Sequence, residues 1–137
     1  MALTHLADTS VLTRLGIPGV RSVLEPLIGS GCIARAGITD LEVGFSARDA
    51  AEWDGLSAAL SVMELVETTS THVARARQVQ RLLAERHLRG RKVPDLLIAA
   101  AAEEHGLTVM HYDADFDVIA GVTGQSAEWV VDRGSID

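Results

Sequence analysis

The chain has 137 residues, of which 47% are hydrophobic and 4% aromatic, and its formal net charge is −7. A chain of this length can bury one substantial hydrophobic core, so we expect a single domain over residues 1–137. No run of about 18 apolar residues could cross a membrane, and Asp8 interrupts the first hydrophobic stretch, so we expect a cytoplasmic protein without membrane contact. The single cysteine, Cys32, excludes an internal disulfide and a cysteine cluster for zinc.

The first half of the sequence predicts short strands that alternate with helices. The stretch "LTHLA" predicts a strand that ends at Asp8, and "CIARAG" predicts a second strand after a helix over residues 20–29. The stretch "ITDLEVGFSA" has apolar residues at helical spacing, with Thr39 or a neighbour as the N-cap. A helix over residues 50–60 and a strand or extended crossing in "VMELVET" follow.

The second half predicts two longer helices and two strands. Thr71 is the predicted cap of a helix that reaches about Leu88 and buries Val73 on one side. Pro94 stands where proline is favoured, in the first turn of the next helix. The stretch "LTVMHY" predicts a strand before Asp113, followed by the short helix "DFDVIAG" and a last strand in "AEWVV". This alternation predicts an α/β fold, a three-layer α/β/α domain with a central, mainly parallel sheet.

Basic residues are concentrated in residues 75–92, which we call the basic stretch. It holds seven of the twelve Lys and Arg residues: Arg75, Arg77, Arg81, Arg86, Arg89, Arg91 and Lys92. Only Glu85 opposes them, so the stretch carries a local charge of +6 within an acidic chain. Two interpretations are open: a solvated helix face, or a surface that contacts the phosphates of a nucleic acid.

Several familiar kinds of site are excluded by their spacing. An EF-hand loop that begins at Asp113 needs glycine at its sixth position and glutamate at its twelfth, where this chain has Val118 and Gly124. The sequence also lacks the Gly-x-Ser-x-Gly elbow of serine hydrolases, the His-Glu-x-x-His helix of zinc proteases and the Gly-Lys-Ser/Thr ending of a phosphate-binding loop. These absences argue against a serine hydrolase, a zinc protease and a nucleotide hydrolase.

Separated carboxylates stand at the boundaries of the predicted elements: Asp8, Glu42, Asp95 and Asp113, with Asp115 and Asp117 close by. Asp95 by itself allows two interpretations, a helix-capping residue or a metal ligand. Carboxylates gathered without partners repel one another, and a divalent cation would remove that repulsion. Oxygen ligands suit Mg²⁺ or Mn²⁺, which can activate water for attack on a phosphodiester. The acids and the basic stretch together therefore indicate a nuclease.

Four stretches in order carry a resemblance to a known family: "LADTS", "ITDLEVG", "VPDLLIAAAAEEHG" and "LTVMHYDADFDVIA". The chain resembles the PIN domain, and within it the VapC-type toxins of bacterial toxin–antitoxin pairs. The resemblance covers nearly the whole length. It implies an Mg²⁺- or Mn²⁺-dependent endoribonuclease that hydrolyses RNA and is inhibited by a cognate VapB-type antitoxin. It also implies a homodimer, or a heterotetramer or higher complex with that antitoxin.

The resemblance also assigns roles to individual residues. It implies that the catalytic, metal-binding carboxylates are Asp8, Glu42, Asp95 and Asp113, with Asp115 as a further metal ligand. The hydroxyl residues Ser10 and Thr9 would help to hold the metal or its water. We expect Asp40 and Asp117 to be decoys, since helical geometry points Asp40 about 200° away from Glu42. From the basic stretch we expect RNA contacts by Arg75, Arg77, Arg81, Arg91 and Lys92.

Two other functions stay open on the sequence alone. One is a PIN nuclease that matures RNA without any antitoxin, and the other is a non-catalytic module that binds RNA or protein. The sequence also assigns no role to His111, Trp53 or Trp129, and it does not identify the RNA.

Overall fold

Five parallel strands form the centre of the fold in the computed structural model, which describes residues 2–88 and 90–137. The strands are β1 His5–Ala7, β2 Ile33–Ala36, β3 Glu64–Val66, β4 Thr108–His111 and β5 Ala127–Trp129. Their order across the sheet is β3-β2-β1-β4-β5, and every neighbouring pair is parallel. Arg89, counted in the basic stretch, lies outside the described residues.

Helices connect the strands and cover both faces of the sheet. They are α1 Thr9–Leu12, α2 Pro18–Gly29, α3 Gly37–Gly44, α4 Ala50–Leu60, α5 Ser70–Glu85, α6 Val93–Glu104 and α7 Asp115–Thr123. Because side chains alternate along a strand, Leu6 of β1 joins one hydrophobic cluster and Ala7 joins the other. The fully buried helical residues of the first cluster come from α5, α6 and α7, and those of the second from α1, α2 and α4. The sheet therefore lies between two helical layers, which confirms the predicted fold class.

The strand order reverses between β1 and β4. The chain builds the sheet outward from β1 to β3 and then returns, so that β4 pairs with the free side of β1. In open parallel sheets, ligands bind outside the carboxyl ends of the strands at such a reversal. Asp8 directly follows β1, and Asp113 lies two residues beyond the end of β4. The topology therefore brings two of the predicted acids to one place.

Helix α5 begins two residues earlier than predicted. Its N-cap is Thr69, whose hydroxyl accepts the His72 N–H at 3.4 Å, while His72 Nδ1 accepts the Thr69 N–H at 3.2 Å. The prediction of Thr71 as the cap was wrong. In this register His72 is buried and Val73 is 48% exposed, so the prediction that Val73 is buried was also wrong.

Helix α3 begins at Gly37, earlier than its sequence suggested. Thr39 is buried within its first turn and does not cap it, so the prediction of Thr39 or a neighbour as a side-chain cap was wrong. Instead, the Thr68 hydroxyl accepts the Ile38 N–H at 2.9 Å. A Cβ at Gly37 would come within 3.1 Å of the Thr68 backbone nitrogen, so glycine allows this close approach.

Across the described part of the chain, no helix has the combined length and apolarity that crossing a bilayer requires.

Candidate active site

A polar cavity of about 250 Å³ opens at the carboxyl ends of β1 and β4. All four carboxylates predicted to be catalytic line it: Asp8, Glu42, Asp95 and Asp113. Asp115 lies beside them, and oxygen atoms of Asp95, Asp113 and Asp115 all fall within 4.8 Å of one another. The structure therefore gathers acids from four separate segments of the chain.

Asp8 is buried at the start of α1. Its Oδ2 accepts the Ser10 N–H at 3.0 Å and so caps this short helix. Its Oδ1 is buried and, within the described part of the chain, has no hydrogen-bond partner. Burial raises the pKa of Asp8 above its usual value, and the charges of Glu42 and Asp113 raise it further, although the bonds from Ser10 act in the opposite direction.

Asp95 lies in the first turn of α6, behind Pro94. The N-cap of this helix is Lys92, and no side chain among the described residues caps it, so capping does not explain Asp95. Its side chain is only 6% exposed, and its Oδ2 lacks a hydrogen bond within the described residues. Burial, together with the charges of Asp8 and Asp113, raises the pKa of Asp95 to about 8.

The Asp113 carboxylate accepts hydrogen bonds at both of its oxygens, whereas Asp95 Oδ2 accepts none in the described residues. Its Oδ1 accepts the Asp115 N–H at 2.9 Å, and its Oδ2 lies 2.9 Å from Lys92 Nζ. Burial by itself would raise the pKa of Asp113, but these two donors outweigh it, so the pKa lies below its usual value. The neighbouring Asp115 accepts from Arg91 Nη1 at 2.8 Å. Two basic residues thus neutralise part of the acid cluster.

Hydroxyl groups fix the remaining parts of the cavity. The Thr9 hydroxyl donates to Glu42 Oε1 at 2.7 Å and so holds the carboxylate of α3 against α1. The Ser10 hydroxyl accepts the Tyr112 N–H at 2.9 Å, which ties α1 to the end of β4. Both residues line the cavity, and their contact with a metal or its water stays a prediction.

Two nearby acids point elsewhere. Asp40 of α3 pairs with Arg35, with Oδ1 2.8 Å from Nε, and Asp117 of α7 accepts from Trp129 Nε1 at 3.1 Å. Neither lines the cavity. The distinction between Asp40 and Glu42, drawn from helical geometry, is confirmed.

The basic stretch does not lie along one surface. Arg75 Nε lies 2.7 Å from Glu103, which is eight residues after Asp95 on α6 and so about 12 Å away along the helix. Arg81 pairs with Glu85 on its own helix. Of the described basic residues in this stretch, Arg91 and Lys92 reach the acids. RNA contact by Arg75, Arg77 and Arg81 stays a prediction, and none of the three lines the cavity.

Sequence reasoning missed three cavity residues, Thr13, Arg14 and Tyr112. Arg14 stands four residues after Ser10, and this helical spacing was the one local signal for its position.

His111 is fully buried and stacks on Phe116, and its Nδ1 accepts the Asp113 N–H at 3.2 Å. Burial lowers the pKa of His111, so it supports the Asp113 backbone as a neutral ring.

The donor set fits a hard divalent cation. Asp8 Oδ1 and Asp95 Oδ2 are buried acceptors without hydrogen bonds in the described residues, and the repulsion between the neighbouring acids is only partly offset by Lys92, whose Nζ lies 3.9 Å from Asp95 Oδ2. Buried carboxylate oxygens of this kind are ligands that Mg²⁺ and Mn²⁺ accept. The cavity, of about 250 Å³, is therefore able to hold such a cation.

Comparison with known proteins gives consistent matches. The chain matches the family model described as "PIN domain" over residues 6–122. It is 61% identical over 137 residues to "Ribonuclease VapC51" of Mycobacterium tuberculosis, with 100% of both chains covered. It is 45% identical over 137 residues to "Ribonuclease VapC21" of the same organism, covering 98% of this chain and 99% of that one.

Solved structures share the fold at lower identity. A DNA-bound VapBC from Salmonella typhimurium superposes with a TM-score of 0.77 at 18% identity and covers 94% of this chain and 99% of that chain. VapBC-5, a member of the VapBC family of toxin-antitoxin systems from Mycobacterium tuberculosis, gives a TM-score of 0.61 at 26% identity and covers 93% and 96%.

Proposed function

Because this chain belongs to the PIN-domain family, and within it to the VapC ribonucleases, we propose that it is an endoribonuclease that requires Mg²⁺ or Mn²⁺ and is held inactive by an antitoxin. One observation carries the metal requirement. Asp8 and Asp95 are buried side by side in one cavity with carboxylate oxygens that lack hydrogen bonds in the described residues. A purely structural role would leave these two buried carboxylates to repel each other, with the charge of Lys92 near Asp95 as only a partial offset.

The residues proposed to hold the cation are Asp8, Glu42, Asp95 and Asp113, with Asp115 at the edge of the set. When bound, such ions lower the pKa of a water and neutralise charge that develops on a phosphodiester. Thr9 keeps the Glu42 carboxylate turned into the cavity, and Ser10 can donate its own proton there. Lys92 holds Asp113 ionised and presents a positive charge to an incoming phosphate.

The structure of RNA limits which segments such an enzyme can recognise by their base sequence. The deep groove of an RNA duplex is closed to side chains, so bases are read in loops and other unpaired segments. With a net charge of −7, the chain gains no general attraction to RNA and depends on the few cations beside the cavity. We therefore propose a structured RNA with an unpaired target site as the substrate.

The test is cleavage of a 5′-labelled stem-loop RNA and of total bacterial RNA by the purified chain. We expect cutting with Mg²⁺ or Mn²⁺ and none with EDTA. Asp8→Asn and Asp95→Asn should each lose about a hundredfold or more of the rate, because several kcal/mol of charge stabilisation disappear. Both variants should also lose the rise in melting temperature that Mn²⁺ gives the parent.

The matched control is Asp117→Asn, which changes an exposed acid outside the cavity and keeps its acceptor for Trp129. It should cut at the parental rate. The proposal is wrong if the parent cuts no RNA with either metal, or if Asp8→Asn and Asp95→Asn cut as fast as Asp117→Asn.

We also propose a VapB-type antitoxin as the partner, since the VapBC structures are assemblies of related chains. An apolar groove of about 370 Å³ adjoins the acid cavity, and the two share Thr13 and Glu42. Its apolar lining comes from α1, α2, α3 and α4 and includes Leu12, Val43 and Leu56. A segment docked there would lie next to the catalytic acids, which accounts for inhibition by binding.

A further inference from the structure

We propose that Arg14 binds a phosphate of the RNA at the rim of the acid cavity, and that Asp137 competes with that phosphate from within the chain. The inference rests on the proposed ribonuclease function and adds a substrate-binding residue and an internal competitor to it.

Arg14 is held firmly at the cavity, one turn beyond Ser10. Its Nη1 donates to the Ser10 carbonyl at 2.8 Å, and its guanidinium lies over the Tyr112 ring, 5.0 Å from the centroid. Its Nε and Nη2 donate to Asp137 Oδ2 at 3.0 and 2.7 Å. Two N–H groups of the planar guanidinium thus converge on one carboxylate oxygen, while Nε also lies 3.4 Å from Oδ1, and a phosphate oxygen can accept the same two N–H groups.

The segment 132–137 is fastened beside the cavity by Tyr112. The Tyr112 hydroxyl accepts the N–H groups of Gly134 and Ile136 at 3.0 and 3.3 Å and donates to the Ile136 carbonyl at 2.8 Å. Ile136 also packs against the hydrophobic cluster of α1, α2 and α4. These contacts place the Asp137 carboxylate on Arg14, although 123 residues separate the two.

Among the ion pairs of the described residues at the cavity, that of Arg14 and Asp137 is the easiest to replace. The Asp137 side chain is 47% exposed, so water can solvate it when a phosphate takes its place. The partners of Lys92 and Arg91 are Asp113 and Asp115, which lie within the acid cluster and are each only 20% exposed. Displacing either of those would leave a poorly solvated carboxylate among its like charges. An RNA phosphate that approaches the acids therefore meets Arg14 as the cation that can change partners.

The test is a double-mutant cycle on RNA binding, measured by fluorescence anisotropy of a labelled stem-loop RNA in EDTA, where no cleavage occurs. Asp137→Asn should tighten binding about fivefold, because a surface ion pair of about 1 kcal/mol no longer competes. Arg14→Gln should weaken binding and lower the slope of log K against log salt by about 0.7 to 0.9, as the loss of one phosphate contact does. In the Arg14→Gln background, Asp137→Asn should have no effect.

Tyr112→Phe should also free Arg14 from Asp137, because it removes the hydroxyl that holds the segment 132–137 beside the cavity. It should tighten binding as Asp137→Asn does, and again only while Arg14 is present. The matched controls are Arg48→Gln and Glu52→Gln, which break an exposed pair of 2.9 Å outside the cavity lining. Each control should change the dissociation constant less than twofold.

The outcomes separate this inference from the ribonuclease proposal. If the parent binds and cuts RNA but Asp137→Asn does not tighten binding, or tightens it equally without Arg14, the role of Arg14 is overturned and the nuclease stands. If the parent neither binds nor cuts RNA with or without metal, the ribonuclease proposal fails and this inference fails with it.

Discussion

At the scale of single residues, Asp95 should make the stability of the metal-free protein depend on pH. Its pKa is about 8 in the folded chain, against about 3.9 in an unfolded one. The folded state therefore holds the proton more tightly, and the free energy of unfolding should fall as the pH rises from about 4 to about 8, then level off. Urea unfolding in EDTA between pH 5 and 9 measures this, and Asp95→Asn should flatten the fall.

Two other carboxylates of the cavity, those of Asp8 and Asp113, also affect how the free energy of unfolding depends on pH. The pKa of Asp8 is also raised, so some decline with pH should persist in Asp95→Asn. The pKa of Asp113 is lowered, so it acts with the opposite sign and its contribution is lost as the pH falls below about 4, outside the measured window. Asp117→Asn serves as the control and should keep the parental profile. Parallel profiles for Asp95→Asn and the parent would contradict the assignment of the raised pKa to Asp95.

Individual site residues differed in how far the sequence could predict them. Asp8, Asp95 and Asp113 follow strand ends or a helix start, so local sequence patterns are enough to locate them. The contact between Arg14 and Asp137 could not be predicted in this way, because 123 residues separate them and only the folded chain brings them together. The sequence assigned no role to His111 for a similar reason, since its ring is enclosed by Phe116 and Trp129 of later elements.

At the scale of elements, the capping box at the start of α5 should contribute measurable stability. Thr69→Ala removes the acceptor for the His72 N–H and should lower the free energy of unfolding by about 1 kcal/mol. Chemical denaturation at neutral pH measures the loss. Thr71→Ala is the matched control, because Thr71 is exposed and lies within the helix. An equal cost for both substitutions would mean that Thr69 does not act as the cap.

The wrong prediction of Thr71 as the cap of α5 shows what local sequence patterns cannot predict about the start of a helix. The stretch 68–71 offers four successive hydroxyl residues, and each is an acceptable cap by its own chemistry. The choice is made by His72, which is buried and whose Nε2 lies 3.1 Å from Glu104 at the end of α6. A contact between two helices thus sets the start of one of them, and no local pattern carries that information.

At the scale of the whole molecule, topology and not sequence distance decides which charges meet. The basic stretch is continuous along the chain, yet α5 and α6 pack side by side so that Arg75 meets Glu103 while Lys92 meets Asp113. The acids, scattered from Asp8 to Asp115, converge because β1 and β4 are neighbours at the reversal of strand order. Sequence patterns were therefore enough to predict that the acids lie together, whereas the separation of Arg75 from Lys92 depends on how α5 packs on α6.

The apolar groove beside the cavity should be the place where the antitoxin binds. Leu56→Glu places a charge in the groove lining, and the cost of burying it should weaken binding of the purified VapB-type antitoxin about a hundredfold in calorimetric titration. RNA cleavage by the free variant should continue at the parental rate, because Leu56 does not line the acid cavity. Leu65→Glu is the control, since Leu65 is an exposed leucine of β3 outside the groove and should leave antitoxin binding unchanged. If Leu56→Glu binds the antitoxin as tightly as Leu65→Glu does, the antitoxin docks elsewhere and must block the acids without filling this groove.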